Sequence, residues 1–265
     1  MKSDARDAKY GKESWDELWR HRRRFYVYRN VVKIAEEFLG GLPGRRVLEV
    51  GCGRGATLLE LARKGANVVG LDYSEEAIAV CRKLARESNT ANRAEFVNAD
   101  AQKIPFSEES FDFVFSVGLI EHFEDPTETL SEQYRVLRKG GICLVQVPQR
   151  YSFYTFLKKM LIRLGKWPYG KWETQFSDKE ISTLVREAGL EPHYVTGYGS
   201  FILAAVRHTF APTLDFGMMW RNGTELAMIR AVKAKTALDI CVVARKGIAD
   251  TTDANTKSAK NQVAR

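Results

Sequence analysis

Residues 46–65, RVLEVGCGRGATLLELARKG, restrict the folding of this chain more than any other stretch. A short apolar run meets glycines at alternate places and passes directly into apolar residues at helical spacing, the pattern of a strand turning tightly into a helix. The rhythm then repeats. NVVGLD precedes SEEAIAVCRKLARES, AEFVNAD follows, FDFVFSV leads into a helix expected through ETLSEQYRVLRK, and ICLVQVP comes after the Gly140-Gly141 joint. Repeated strand-helix-strand units require parallel strands covered on both faces, so the reading is α/β with a doubly wound sheet. Such sheets bind ligands beyond the carboxyl ends of their strands, beside the first one.

Upstream, residues 13–40 read as two helices, the first carrying Trp15, Trp19 and the HRRR cluster at 21–24, expected against the ligand edge of the sheet. Downstream, FSDKEISTLVREAGL reads as a helix N-capped by Ser177, with Glu180 completing a capping box and Gly189 near its end. EPHYVTGY and ALDICVVARK bring the sheet to seven strands. The organisation expected is an N-terminal helical cap over 1–44, a main domain over 45–247 with helical inserts at about 151–176 and 200–235, and a disordered tail over 248–265, which has almost no apolar content.

Composition narrows the setting. The start alternates charges and lacks the apolar core of a secretory signal, and no apolar run approaches the ~20 residues of a membrane span, so a cytoplasmic address is expected. Cys52, Cys81, Cys143 and Cys241 are far apart and form no metal-ligand spacing, so they read as reduced thiols and no metal is expected. A net charge of +8 suits anionic partners in general without choosing among them.

Gly51 to Ala56 satisfies G-x-G-x-x-A, a dinucleotide fingerprint that is weak alone. Glu49 alters the reading. A carboxylate just before the glycines sits badly beside a pyrophosphate and well beside an ammonium group. Asp72, about 20 residues on, is placed to accept from ribose hydroxyls. Asp100, read as ending the third strand and followed by Ala101, suits the edge of an adenine.

VLEVGCGRG, VVGLDYS, FVNADA, FDFVFSVGLIEHF and YRVLRKGGICLVQVP, in this order and spacing, resemble the class I S-adenosylmethionine-dependent methyltransferases, most closely their small-molecule, type 11-like branch. The resemblance covers roughly residues 45–148. It implies a Rossmann-like methyltransferase fold with an antiparallel last strand and S-adenosyl-L-methionine as cofactor. By it, Glu49, Gly51, Cys52, Gly53 and Gly55 hold the methionine end, Asp72 the ribose, Tyr73 packs by the adenine, Asp100 and Ala101 read its edge, and the backbone near Ser116 and Val117 meets the amine.

The acceptor is expected to be a small organic or lipid-like molecule. SVGL after the fourth strand replaces the Asn/Asp-Pro-Pro-aromatic motif of nucleic-acid amino methyltransferases, so no nucleic acid is expected. His122 is the candidate catalytic base, with Glu121 a weaker one. Residues 151–172 read as an amphipathic basic helix, with Phe153, Phe156, Leu157, Met160, Leu161 and Leu164 on one face and Lys158, Lys159, Arg163 and Lys166 on the other. Such a helix suits an anionic membrane surface or a cover for the active site. Tyr154, Trp172, Phe216 and Trp220 are the expected substrate-binding aromatics. Two other functions stay open on sequence alone: a cofactor-binding scaffold without turnover, and a nicotinamide-dependent oxidoreductase.

Overall fold

The computed structural model describes residues 12–21, 26–165, 173–198 and 237–247. In chain order the elements are α1 (Lys12–His21), α2 (Arg29–Leu39), β1 (Arg46–Val50), α3 (Ala56–Arg63), β2 (Asn67–Asp72), α4 (Glu75–Glu87), β3 (Ala94–Asn98), β4 (Phe111–Val117), α5 (Thr127–Val136), β5 (Leu137–Pro148), α6 (Phe153–Arg163), α7 (Asp178–Glu187), β6 (Leu190–Tyr198) and β7 (Asp239–Lys246). The seven strands form one sheet in the order β3-β2-β1-β4-β5-β7-β6. β1 to β5 pair in parallel, while β7 runs antiparallel between β5 and β6. The expected doubly wound sheet with its reversed last strand is therefore present.

Strand alternation sends neighbouring side chains to opposite faces, and each face has its own core. Val47, Phe113 and Phe115 pack with Val31 and Ile34 of α2, Leu58 of α3 and Ile78 of α4. Leu48 and Val114 pack with Leu130 of α5 and with Ile181 and Val185 of α7. Strand order reverses between β1 and β4, so the crevice beyond their carboxyl ends is where the fold admits a ligand.

Local signals placed most elements. Ser74 caps α4 through Ala77 N, and Ser177 with Glu180 forms a complete capping box on α7. Three boundaries differ from expectation. α5 ends at Val136 rather than continuing through Lys139, because the N–H groups of Glu109 and Ser110 take the carbonyls of Arg135 and Val136. Leu137 then pairs with Phe111, so Gly140 lies inside β5, at φ +72° beside a register shift, and not ahead of it. β3 ends at Asn98, which leaves Asp100 two residues past the strand. The expected insert at 200–235 and the tail from 248 lie outside the described residues.

Candidate active site

The glycine loop joins β1 to α3. Gly51, Gly53 and Gly55 hold φ of +73°, +52° and +66°, in the left-handed region that a side chain disfavours. Leu71 O at the end of β2 accepts from both Gly51 N and Cys52 N, at 2.8 and 2.9 Å. Asp72 completes the cradle, its Oδ2 accepting from Gly53 N at 2.7 Å and its Oδ1 from Ser74 N at 2.9 Å. This carboxylate therefore ties the loop to the turn after β2. Burial raises its pKa, and the backbone N–H groups pull the other way. Cys81 Sγ donates to Gly53 O at 3.2 Å and fixes the loop from below.

Glu49 stands two residues before the loop and is buried. Loss of water, then the nearby Asp72 charge, pushes its pKa well up. Its Oε2 has no hydrogen-bond partner, and neither has Ser116 Oγ near the end of β4. Buried polar groups left unpaired cost about 1–3 kcal/mol each and are rare in native proteins. Glu49 shares the face of Val47 and Phe115 and, at the end of β1, fits a ligand rich in hydrogen-bond donors, whereas the Ser116 side chain shares the opposite face with Val114. The residues present thus fit the amino-acid end of S-adenosylmethionine.

The other predicted cofactor residues surround the same crevice. Tyr73 follows β2 and is 45% exposed, held by Asn98 Nδ2, which donates to the carbonyls of Asp72 and Tyr73. Asp100 is exposed and its Oδ1 accepts from Gln102 N at 2.9 Å, while Ala101 is buried. Val117 is half-buried at the end of β4.

Helix α1 lies against the crevice, as expected of the helix that carries Trp15 and Trp19, and adds Asp16, which sequence reasoning did not single out. Trp19 packs on Gly53, and Arg54 Nη2 donates to Trp19 O at 3.0 Å. Asp16 accepts from Ser74 Oγ and from Glu76 N, and Arg20 pairs with Glu76 at 3.1 Å. Trp15 meets His122 edge-on with ring centroids 5.0 Å apart. The two tryptophans were visible as a helical pair. Asp16 was not, because Ser74 is 58 residues away in the chain.

On the far side of the crevice, the turn after β4 carries Glu121 and His122. Glu121 is buried, and loss of water chiefly raises its pKa to about 8. Lys158 of α6 was expected on a solvated face. It is buried instead and pairs with Glu173, which neutralises the charge that burial would otherwise leave exposed to a low dielectric. Tyr154 lies on α6 with its side chain outside the described residues, as are Trp172, Phe216 and Trp220, so the expected aromatic lining is not placed.

Known proteins resemble this chain in sequence and in fold. Residues 48–145 match the family model of a methyltransferase domain. Cycloartenol-C-24-methyltransferase 1 of Oryza sativa subsp. japonica is 38% identical over 125 residues, which are 45% of this chain and 36% of that protein. A ubiquinone biosynthesis O-methyltransferase of Acinetobacter baylyi is 29% identical over 197 residues, 69% of this chain and 79% of that protein. The chain thus spans little more than a third of the plant protein. Magnesium protoporphyrin IX methyltransferase from Synechocystis, solved with S-adenosylhomocysteine, matches at TM-score 0.63 and 17% identity, over 93% of this chain and all of that one, which shows the shared fold. The sheet order, the glycine loop between Glu49 and Asp72, and these matches make the chain similar to the S-adenosylmethionine-dependent methyltransferases, most directly over the methyltransferase domain at residues 48–145.

Proposed function

We propose that the chain is an enzyme that moves a methyl group from S-adenosylmethionine to a small, lipid-like organic acceptor. The observation that carries this reading is the unpaired, buried carboxylate oxygen of Glu49 at the foot of the glycine loop, beside the Asp72 cradle. S-adenosylmethionine supplies a methyl already activated on a sulfonium. The protein's work is then to hold, align and dry. Glu49 offers an acceptor to an ammonium group, Asp72 and the loop N–H groups fix the frame, and α1 covers the mouth. Alignment and exclusion of water account for much of the rate that such a transfer needs.

A lipid-like acceptor is supported by the names of the relatives, which concern a sterol and a ubiquinone precursor pathway. α6 adds a second support. Phe156, Met160 and Leu164 recur every four residues and are exposed, with Lys159 and Arg163 exposed beside them. A stripe of this kind suits the headgroup region of an anionic membrane. We place the chain's work at the cytoplasmic face of such a membrane. No helix among the described residues is long and apolar enough to cross one.

The test is incubation with methyl-labelled S-adenosylmethionine and separate lipid and aqueous extracts. Label is expected in the lipid fraction. Label confined to the aqueous fraction overturns the lipid-like acceptor, and no label in either overturns the enzyme reading. Co-sedimentation with phosphatidylglycerol vesicles is expected at low salt and reduced in Phe156→Ser/Met160→Ser. Equal recovery of both proteins in the supernatant overturns membrane contact.

A further inference from the structure

Past β4 the chain turns through Ile120–His122, and three other elements meet there. Thr174 N donates to Glu121 O at 3.0 Å, which brings the neighbouring Glu173 alongside, and Glu173 is paired with Lys158 of α6. Asp239 opens β7 opposite Pro148 and accepts from Gln146 Nε2 at 3.4 Å. Gln146 O accepts from Gly118 N at 3.0 Å, and Glu121 Oε1 lies 3.5 Å from where a Cβ on Gly118 would stand. Among these carboxylates Glu173 and Asp239 have side-chain partners. Glu121 is 4% exposed and its Oε2 has none. An unmet carboxyl oxygen in this setting costs stability and contributes nothing to the fold, so its use lies with a ligand.

We propose that Glu121 is the catalytic base, its carboxylate bonding the acceptor's hydroxyl and taking the proton as the methyl arrives. The inference rests on the methyl-transfer reading above. In the step, the acceptor oxygen forms a bond to the methyl carbon, the carbon–sulfur bond breaks with its electron pair going to sulfur, and the O–H proton passes to Glu121. A neutral ether, a neutral thioether and a protonated Glu121 result, so charge and atoms balance.

The surroundings suit that task. Burial, with Glu173 of the α6–α7 connection and Asp239 of β7 facing Glu121, lifts its pKa to about 8, while Lys158 of α6 and a backbone N–H act in the opposite direction. A base near 8 is far stronger than an exposed glutamate at ~4.3 and lies within reach of a phenolic proton at ~10. A catechol is therefore a suitable probe hydroxyl. His122, on the same turn, faces Trp15 of the covering helix.

The experiment compares wild type and Glu121→Gln, with 4-octylcatechol and methyl-labelled S-adenosylmethionine, beside calorimetry with S-adenosylhomocysteine. Wild type is expected to label the catechol with kcat rising to a plateau above about pH 8. Glu121→Gln is expected to lose roughly 100-fold in kcat, the usual scale for removing a base, and to lose the pH rise. S-adenosylhomocysteine is expected to bind both proteins equally. Should the glutamine variant not fold, Glu121→Asp is expected to keep the pH rise at reduced kcat. Unchanged kcat and pH profile in either variant overturn the role of Glu121, and an unlabelled catechol with wild type overturns the hydroxyl acceptor. Failure of S-adenosylhomocysteine to bind wild type strikes the methyl-transfer reading instead.

Discussion

Trp19 occupies the space that a side chain on Gly53 would need: a Cβ built on that glycine falls 2.5 Å from the indole Cη2 and 2.7 Å from Cζ2. The absent side chain thus serves two ends, a left-handed turn at φ +52° and the seat of helix α1. Gly53→Ala meets a backbone cost of about 1–2 kcal/mol and a clash with the ring. In a Trp19→Ala background only the backbone cost remains. Urea melts of the four proteins in this cycle are expected to show a coupling of at least ~1 kcal/mol, the scale for residues in direct contact. Additive effects would contradict the seat.

Glu49 is expected to weaken the free protein and strengthen the loaded one. Glu49→Gln removes a buried carboxylate whose pKa is pushed well up and whose Oε2 is unpaired. The thermal midpoint of the free variant should therefore equal or exceed that of wild type. Its affinity for S-adenosylmethionine should fall by at least about tenfold, because a charged hydrogen bond contributes about 1.5–3 kcal/mol. Calorimetry and scanning fluorimetry read both, and a destabilised variant with full affinity would contradict the role.

Asp72 is predicted to behave in the opposite way. Both of its oxygens accept backbone N–H groups, from Gly53 and Ser74, and an asparagine offers one acceptor where two are needed. Asp72→Asn leaves a buried donor unpaired, at about 1–3 kcal/mol, even without ligand. A urea midpoint unchanged from wild type would show that the loop is held otherwise.

Stability should fall as pH rises across the neutral range. Glu121, at about 8 against an ordinary 4.5, and Asp239, at about 6 against 3.8, are both raised by burial. Between the ordinary and the raised values the folded protein holds protons that the unfolded chain has released. Their contribution is full below the ordinary value and is lost as pH climbs through the raised one. The thermal midpoint of wild type should therefore drop from pH 5 to pH 8.5, and Glu121→Gln should flatten that drop. A rise over the same range would contradict the burial of these groups.

Much of this could be read from the chain because local signals agreed with one another. Around Glu49, Gly53 and Asp72, apolar strands, glycines and strand-end acids lie within about 25 residues, so the fold and the proposed cofactor site were both legible in one short stretch. The capping box at Ser177 and Glu180 is equally local. What escaped depends on distant partners. The end of α5 is set by Glu109 and Ser110, the burial of Lys158 by Glu173, and the use of Asp16 by Ser74. An amphipathic pattern assigns every lysine to solvent and has no term for a carboxylate arriving from another element. Asp100 was placed at a strand end because FVNAD reads as continuous, but the ladder with β2 stops at Asn98.

The central claim is that Glu49, the glycine loop and Asp72 form a pocket for a sulfonium-bearing amino acid joined to a nucleoside. Titration calorimetry on the purified chain tests it most directly. Saturable heat with S-adenosylmethionine and S-adenosylhomocysteine, and none with NADH, is the predicted result. Saturable heat with NADH and none with either sulfur compound would contradict it.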